Sequence, residues 1–403
     1  MSKLKVAFVV QRCGKEVIGG SESHCLTIAK KLSSFFDVEV LTTCALDYVT
    51  WENHYPEGSE IIDGVLIRRF LVDSPRNISN FENYSVDLFF RMHRVTKKEA
   101  ERWMLMQGPL SSSLFNYLRM RKNEYDVFIF FTYLYATTYY GLQIVSEKSF
   151  LVPTAHDEWP IYFPIWDNWF KLPKFLIFNT HEEKNFLKKR FPNINFKGDV
   201  VGVGVEIPKE IRPEIFRKKF KIYSPYILYI GRLDPSKGCD QLFNYFINYK
   251  RAFPNPLKLV LIGRKVMDIP FHSDIIYLGP LSEEDKFSAI AGCEFLVNPS
   301  PFESLSIVLL EAWSLNKPVL VNGHCEVLVG QCKRSNAGLW YKNYEEFVSC
   351  VNFFLKEKSL AKNAKTFVDK NYNWKIIVNK YLKNLLSFVN LNLTIQKYPR
   401  KRR

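Results

Sequence analysis

Short apolar runs and helical stretches alternate along this chain in two successive series. In the first series, the apolar run Val6–Val10 precedes a helical pattern over Ser23–Phe35. In the second, the apolar runs Tyr226–Ile230 and Leu257–Ile262 flank a helical pattern over Gln241–Lys250. Alternation of strand and helix is typical of a parallel sheet with right-handed crossovers. We therefore predict an α/β chain with two successive domains.

Proline and basic residues separate the two series. Pro208, Pro213 and Pro225 punctuate a Lys/Arg-rich stretch, which predicts a linker over residues 206–225. The first domain is then expected over residues 1–205 and the second over 226–372. Helical periodicity around Trp374 predicts a helix over 373–390, and a basic tail over 391–403 completes the chain.

The net charge of the chain indicates which classes of partner it can bind. The 403 residues carry a formal net charge of +15, which favours polyanions such as phosphorylated substrates and anionic lipid. No nucleic-acid-reading motif is present in the sequence, so we expect no nucleic acid partner. The eight cysteines form no C-x-x-C pair, which is typical of reduced cytosolic thiols. No apolar run reaches about 18 residues, so we expect a cytoplasmic protein whose membrane contact is peripheral.

One segment of the first domain differs from the rest. Residues 76–123 are rich in basic and aromatic residues with helical periodicity, which predicts a helical insertion in the first domain. Such a stretch can lie on the anionic inner face of a membrane, with cations at the headgroups. It can equally be a pair of ordinary amphipathic helices that pack on the domain.

Two glutamates mark a candidate site in the second domain. In the run NPSPFESLSIVLLEAWS, Glu303 follows a strand and Glu311 lies about two helical turns further on. Ligands of open α/β sheets bind beyond the carboxyl ends of strands, and free N–H groups such as those of Ser304 and Leu305 can bind phosphate at a helix start. A carboxylate can also accept hydrogen bonds from vicinal hydroxyls. A capping glutamate plus an exposed one is the alternative.

Two cations follow the first strand of that domain. In IGRLDPSKG, Arg232 and Lys237 lie five residues apart across a turn. Together they can bind a diphosphate and offset the charge that develops on it as a leaving group. Two solvated surface cations are the alternative.

The first domain offers weaker signals. Gly19 and Gly20 precede a helix, where a backbone without side chains can approach a phosphate closely. His156 follows an apolar strand in PTAHDEWP, where it can donate to a substrate hydroxyl or stabilise charge at a reacting centre. A plain βα turn and a strand-end cap are the respective alternatives.

These motifs resemble the retaining glycosyltransferases of family 4, of the bacterial surface-polysaccharide type. The resemblance covers roughly residues 3 to 390 and implies the GT-B fold, two Rossmann-like domains facing each other across a cleft. It implies that Glu311 holds the ribose of a sugar nucleotide and that Glu303 contacts the donor sugar. The amides of Ser304 and Leu305, with Arg232, Lys237, Lys265, Gly19 and Gly20, would bind the nucleotide and diphosphate, and His156 would lie at the reacting centre.

The resemblance also implies the reaction. A sugar would move, with retention, from a nucleoside-diphosphate sugar to a hydroxyl of a lipid-linked or polysaccharide-precursor acceptor, a glycolipid or an oligosaccharide. The sequence has no Asp-x-Asp pattern, so we expect no metal and no cofactor beyond the substrate. A sugar-nucleotide epimerase of the same fold and a non-catalytic membrane-surface subunit remain alternatives.

Overall fold

The computed structural model describes residues 3–17, 19–357, 360–362 and 364–397, with side chains described as far as residue 390. It divides into two compact units by contacts. The first unit contains the residues up to Gly202 together with those from Val378 onward, and the second contains Val203–Ile377.

The first unit is built on a largely parallel sheet. Its strands are β1 (Lys5–Arg12), β2 (Asp37–Thr43), β3 (Gly58–Ile62), β4 (Val65–Phe70), β5 (Val127–Phe131), β6 (Ser149–Val152), β7 (Phe175–Phe178) and β8 (Gly198–Val200). Their order is β3-β4-β2-β1-β5-β6-β7-β8, and among these only β3 pairs antiparallel, with β4. The central strands β1 and β5 are almost wholly buried, as expected of a sheet that is covered on both faces.

Helices connect these strands. They are α1 (Gly20–Leu32), α2 (Ile78–Phe90), α3 (Lys97–Gln107), α4 (Ser112–Arg121), α5 (Ala136–Ile144), α6 (Trp166–Trp169) and α7 (His181–Arg190). Segment 76–123 contains α2, α3 and α4, and buried residues from all three helices, including Leu88, Trp103 and Leu114, belong to the main core of the unit. The segment therefore has a packed inner face, whatever its outer face contacts.

The second unit has an all-parallel sheet. Its strands are β9 (Tyr226–Ile230), β10 (Lys258–Ile262), β11 (Ile275–Gly279), β12 (Leu296–Asn298), β13 (Val319–Asn322) and β14 (Gly338–Tyr341), in the order β11-β10-β9-β12-β13-β14. Along β9, Tyr226 and Leu228 enter one core cluster while Ile227 and Tyr229 enter another. Because strand side chains alternate between faces, this sheet has a core on each side.

The helices of the second unit are α8 (Pro213–Phe220), α9 (Cys239–Ala252), α10 (Glu283–Gly292), α11 (Ile307–Ser314), α12 (Glu326–Ser335), α13 (Tyr344–Lys356) and α14 (Ala364–Asn371). Helix α8 lies within the segment predicted as a linker. Pro213 occupies its first turn, where a missing N–H costs nothing, and Phe216 is buried in the core of this unit.

A long helix, α15 (Trp374–Lys397), ends the described chain. In the first unit, Lys380 donates to the carbonyl of Val200, and the rings of Phe388 and Phe150 pack edge to face. The backbone of residues 391–397 continues this helix, whereas the remainder of the predicted basic tail, from residue 398, lies outside the described residues.

Candidate functional site

The turn after β9 presents the first cation. Asp234 begins the 3-10 helix Pro235–Lys237, and its carboxylate accepts from the backbone N–H of Ser236. The Arg232 Nε lies 2.8 Å from Asp234 Oδ2. Burial raises the pKa of Asp234, but its hydrogen bonds to Ser236 and the charge of Arg232 outweigh burial and lower it overall. The guanidinium is thus oriented by a charged neighbour.

A glycine brings the next cation close to the following strand. Gly238 has φ +73°, and a Cβ there would lie closer than 3.0 Å to the carbonyl oxygen of Pro299. This close approach places Lys237 beside the loop that follows β12, where its Nζ lies 2.8 Å from Oε1 of Glu303. Both side chains are partly exposed, so the pair is accessible from solvent.

Amide and hydroxyl side chains fix the loop that carries Glu303. The Asn298 amide donates to the hydroxyl of Ser306 at 2.9 Å, and its oxygen accepts from the N–H of Ser300. Asn322, at the end of β13, donates to the carbonyl of Pro299 at 2.8 Å. Ser306 itself has φ +68° immediately before α11 begins. Four polar residues that the sequence analysis did not single out therefore hold this loop in one shape.

Glu311 lies on the helix that follows this loop. It is buried, and its Oε1 accepts from Nζ of Lys286 on α10 at 2.8 Å. Burial raises its pKa, and the charge of Lys286 only partly opposes that effect. Lys286 also contacts Glu283 at 2.8 Å. In the sequence, Lys286 is marked only by its position three residues after Glu283.

The remaining predicted residues of this unit surround the same strand ends. Lys265 follows β10 and pairs by an isolated bridge with Leu233, in the turn that carries the cations. Ser304 is half-buried, and Leu305 is buried with its carbonyl bonded to the Gln331 side chain. The structure thus brings Arg232, Lys237, Lys265 and Glu303 to one edge of the sheet, with Glu311 on the adjoining helix.

In the first unit, the start of α1 already has a carboxylate beside it. Gly19 precedes the helix, and a Cβ there would collide with the carboxylate of Glu22. Glu22 is buried, accepts from Arg12 Nε at 2.7 Å and from Ser21 Oγ at 2.8 Å. Gly20 has open space around it. The positive end of the α1 dipole therefore faces an anion supplied by the protein itself.

His156 lies beyond the end of β6 among polar neighbours. Its Nδ1 is 3.8 Å from Oε1 of Glu158, which accepts from the hydroxyl of Tyr133 at 2.8 Å. Ala155, one residue earlier, donates its N–H to the buried carboxylate of Glu183 at 2.7 Å. Burial raises the pKa of Glu183 to about 8, although three backbone N–H groups, those of Asn179, Ala155 and Thr180, lower it.

Strained backbone occurs at the same edge. Thr132 after β5 has φ +63° and Thr154 after β6 has φ +50°, and their hydroxyls are 3.0 Å apart. Positive φ is a genuine outlier for a β-branched residue, and such strain, about 1–3 kcal/mol per residue, clusters at functional sites. No sequence pattern pointed to these two threonines.

The described residues contain neither a cluster of three metal-ligating side chains nor a helix that could span a membrane. Within the described ranges, no group of three or more His, Cys, Asp and Glu side chains is placed to hold a metal ion. None of the described helices combines the length and the apolarity that crossing a bilayer requires.

Comparison with known proteins places the chain among sugar-transferring enzymes. Residues 211–373 match the family described as Glycosyl transferases group 1. A Xenopus tropicalis protein, glycosyltransferase 1 domain-containing protein 1, is 26% identical over 246 residues, which are 55% of this chain and 69% of that protein. An uncharacterised glycosyltransferase from Methanocaldococcus jannaschii is 23% identical over 248 residues, which are 55% of this chain and 60% of that protein.

Solved structures show the same fold at low identity. Sucrose-phosphate synthase from Thermosynechococcus elongatus has a TM-score of 0.69 and 14% identity, and the match covers 96% of this chain and all of that one. The Anabaena protein HepE in complex with UDP-glucose has a TM-score of 0.66 and 13% identity, covering 95% of this chain and all of that one. The predicted α/β fold with two Rossmann-like domains is confirmed. With a match to glycosyl transferases group 1 over residues 211–373 and relatives that are named glycosyltransferases, the chain is a glycosyltransferase, and its fold is GT-B.

Proposed function

We propose that this enzyme transfers a sugar, with retention at the anomeric carbon, from a nucleoside-diphosphate sugar to a hydroxyl of a lipid-linked or polysaccharide-precursor acceptor. The observation that carries the proposal is the pairing of Lys237 with Glu303 beyond the ends of β9 and β12. In this proposal the lysine binds the diphosphate, and the carboxylate beside it accepts a hydrogen bond from a sugar hydroxyl. Arg232 adds a second cation at the same edge.

The leaving group explains why these charges are useful. Departure of a nucleoside diphosphate concentrates negative charge on its terminal phosphate, which preorganised cations stabilise. Arg232 and Lys237 supply two such cations, and the exposed Lys265 follows the neighbouring strand β10. In this proposal the diphosphate accepts the proton of the acceptor hydroxyl, and His156 of the first unit donates to a sugar hydroxyl.

We also propose that the transfer needs no metal ion. Enzymes that bind a diphosphate through a divalent cation place carboxylates around it, since oxygen ligands suit such ions. In the described site the carboxylates of Asp234 and Glu303 are instead engaged by Arg232 and Lys237 at 2.8 Å. Transfer rates that are unchanged by EDTA would support this part of the proposal, and a loss restored by Mg²⁺ or Mn²⁺ would refute it.

A donor screen tests the nucleotide site. A ligand that binds only the folded state raises its melting temperature, so UDP-, GDP- and dTDP-sugars can be ranked by thermal shift. UDP-glucose is the first candidate because the Anabaena protein HepE was solved with it. We expect Lys237→Met to abolish most of the shift, and Lys218→Met, an exposed lysine on α8, to preserve it. Equal shifts in both variants would show that the diphosphate binds elsewhere.

Product analysis tests the reaction. The donor that binds is incubated with and without membrane lipid extract, and the products are separated by mass. Sugar transfer to a lipid or saccharide hydroxyl, with the anomeric configuration of the donor retained by NMR, is the expected result. A new sugar nucleotide formed from donor alone would contradict it and favour an epimerase.

The outer face of segment 76–123 supports a lipid-linked acceptor. We define the α2 tip patch as the exposed residues Val86, Phe89, Phe90, His93, Arg94, Lys97 and Lys98. In a surface of this composition, the cations bind anionic lipid headgroups and the apolar side chains enter the acyl boundary below them. Phe90 is 82% exposed and Phe89 beside it is 49% exposed, and exposed apolar residues that are rimmed by polar ones mark interaction sites. We propose that this patch holds the enzyme at an anionic membrane, where its acceptor would be presented.

A further inference from the structure

A buried lysine–glutamate pair adjoins the proposed donor site. Lys286 lies in the first turn of α10, and Glu311 lies in α11, two helices that contact each other. Their side chains are 15% and 9% exposed, and Nζ and Oε1 are 2.8 Å apart. Charged side chains are rarely buried unless they are paired. The contact between Lys286 and Glu311 is what allows both charges to be buried in the second unit.

The pair leaves one oxygen unused. Oε2 of Glu311 is buried and accepts no hydrogen bond from any described residue. An unsatisfied buried acceptor is costly, more so when it is charged, and a hydroxyl donor would remove that cost. The free oxygen therefore indicates a ligand with a hydroxyl group.

Lys286 can also make one more hydrogen bond than the structure shows it making to these two glutamates. An ammonium group has three N–H donors, and Lys286 directs one to Glu311 and one to Glu283, each at 2.8 Å. The charges of Glu311 and Glu283 raise the pKa of Lys286 in spite of its burial, which keeps it protonated. Burial favours the neutral form of Glu311 as well and raises its pKa, and the charge of Lys286 opposes that effect.

We propose that Lys286 is a positioning residue that keeps Glu311 ionised and turns its Oε2 toward a ribose hydroxyl of the donor. This inference rests on the proposed function, in which Glu311 binds the nucleoside. Without Lys286, the burial that raises the pKa of Glu311 would lose its main opposing charge, which favours the neutral carboxyl group. A neutral carboxyl group both donates and accepts hydrogen bonds. The charged form only accepts, so it favours a nucleoside that presents hydroxyl donors.

The inference specifies the substrate class. A site with a buried, preformed acceptor binds the ligand that carries the matching hydroxyl and rejects the analogue that lacks it, since the acceptor is then left unpaired. The donor is therefore a ribonucleoside-diphosphate sugar, and a deoxyribonucleoside-diphosphate sugar such as a dTDP-sugar is the poorer ligand.

The test compares nucleotides that differ by one hydroxyl. UDP and GDP, each with its 2′-deoxy and 3′-deoxy forms, are titrated by calorimetry into wild type, Lys286→Met, Lys286→Arg and Glu311→Gln. We expect wild type to prefer the ribonucleotide by about 10- to 100-fold over one deoxy form, as a hydrogen bond to a charged group allows. Lys286→Met and Glu311→Gln should reduce the preference to about twofold or less, and Lys286→Arg should restore part of it.

A nearby lysine provides the control. Lys219 is half exposed and pairs at 2.5 Å with Asp285, the residue before Lys286. Its other described contact is with the ring of Phe220. Lys219→Met should keep the full preference. Melting curves of each variant identify those that fail to fold, and Lys286→Arg, which keeps the charge, then carries the comparison.

Combining the substitutions distinguishes positioning from packing. If Lys286 acts through the charge of Glu311, Lys286→Met should change the preference little in a Glu311→Gln background. Full preference in Lys286→Met would overturn the inference, as would a wild type that binds both nucleotide forms equally, and either result leaves the proposed transferase intact. A wild type that binds no nucleotide would instead overturn the proposed function.

Discussion

Lys237 Nζ and Glu303 Oε1 lie 2.8 Å apart, so two side chains predicted to contact different parts of the donor are bonded to each other in the structure. A diphosphate that enters the site would compete with the glutamate for the same ammonium group. Under the proposed function, the carboxylate would therefore weaken binding of the diphosphate and would be released to contact the sugar once the diphosphate has bound.

Replacement of Glu303 by glutamine should separate binding from transfer. Lys237 then loses an anionic competitor, so affinity for the nucleoside diphosphate should be unchanged or rise by up to about tenfold. The transfer rate should fall by roughly 100-fold because a contact with the reacting sugar is lost. Calorimetry with the diphosphate and initial rates with the donor measure the two effects. Glu284→Gln, an exposed neighbour on α10, serves as the control, and a parallel fall in both quantities would contradict the expectation.

Two glycines with similar backbone angles should respond differently to alanine. Gly238 and Gly279 have φ of +73° and +74°, and that conformation costs an alanine roughly 1–2 kcal/mol at either position. Only at position 238 would the new methyl group meet backbone, the carbonyl of Pro299, which adds about 1–3 kcal/mol. Gly238→Ala should therefore lower the free energy of unfolding by more than Gly279→Ala. Equal losses in urea denaturation would show that the Pro299 contact relaxes at no cost.

Glu183 should make stability depend on pH. Its pKa is raised to about 8 in the folded protein, above the usual value of a carboxyl group, so the folded state binds more protons between those two values. Stability from this group is then largest in acid and declines as the pH rises from about 5 to 8. The melting temperature of wild type should fall relative to that of Glu183→Gln over this range. Glu147→Gln, an exposed glutamate, should follow wild type, and parallel curves for wild type and Glu183→Gln would count against the expectation.

Removing apolar area from the α2 tip patch should weaken binding to anionic vesicles. Phe90→Ser removes a phenylalanine that is 82% exposed, and Met120→Ser is a matched control because Met120, on α4, is 81% exposed. We expect Phe90→Ser to reduce binding to phosphatidylglycerol vesicles by about tenfold in a flotation assay, since burying a side chain of this size contributes about 1.5–3 kcal/mol. Met120→Ser should bind as wild type does. Equal binding by all three proteins would place any membrane contact elsewhere.

The strands were the most predictable part of the chain. β9 has the bounds that its apolar run predicts, because a strand buried on both faces is a continuous apolar run. The exposed edge strand β3 has no such run, and its pairing with β4 depends on tertiary contacts. In the predicted linker, Pro213 was interpreted as a break although it begins α8, since proline suits both positions.

The site was predictable in its charges and not in its contacts. Arg232, Lys237 and Glu303 stood out because charged residues followed apolar runs, a signal that depends only on local sequence. Lys286 and Glu183 act through partners 25 and 28 residues away, and sequence spacing does not disclose such pairs. The strain at Thr132 and Thr154 likewise results from the surrounding fold.

Those two threonines have a consequence for engineering. Glycine at either position would accept the left-handed backbone without steric strain, and where that relief exceeds the entropy that glycine loses on folding, a screen for heat resistance alone would select it. The same change would remove the hydroxyl contact that joins the β5 and β6 loops, next to His156. A variant selected in that way is expected to have a higher melting temperature and a lower transfer rate than wild type.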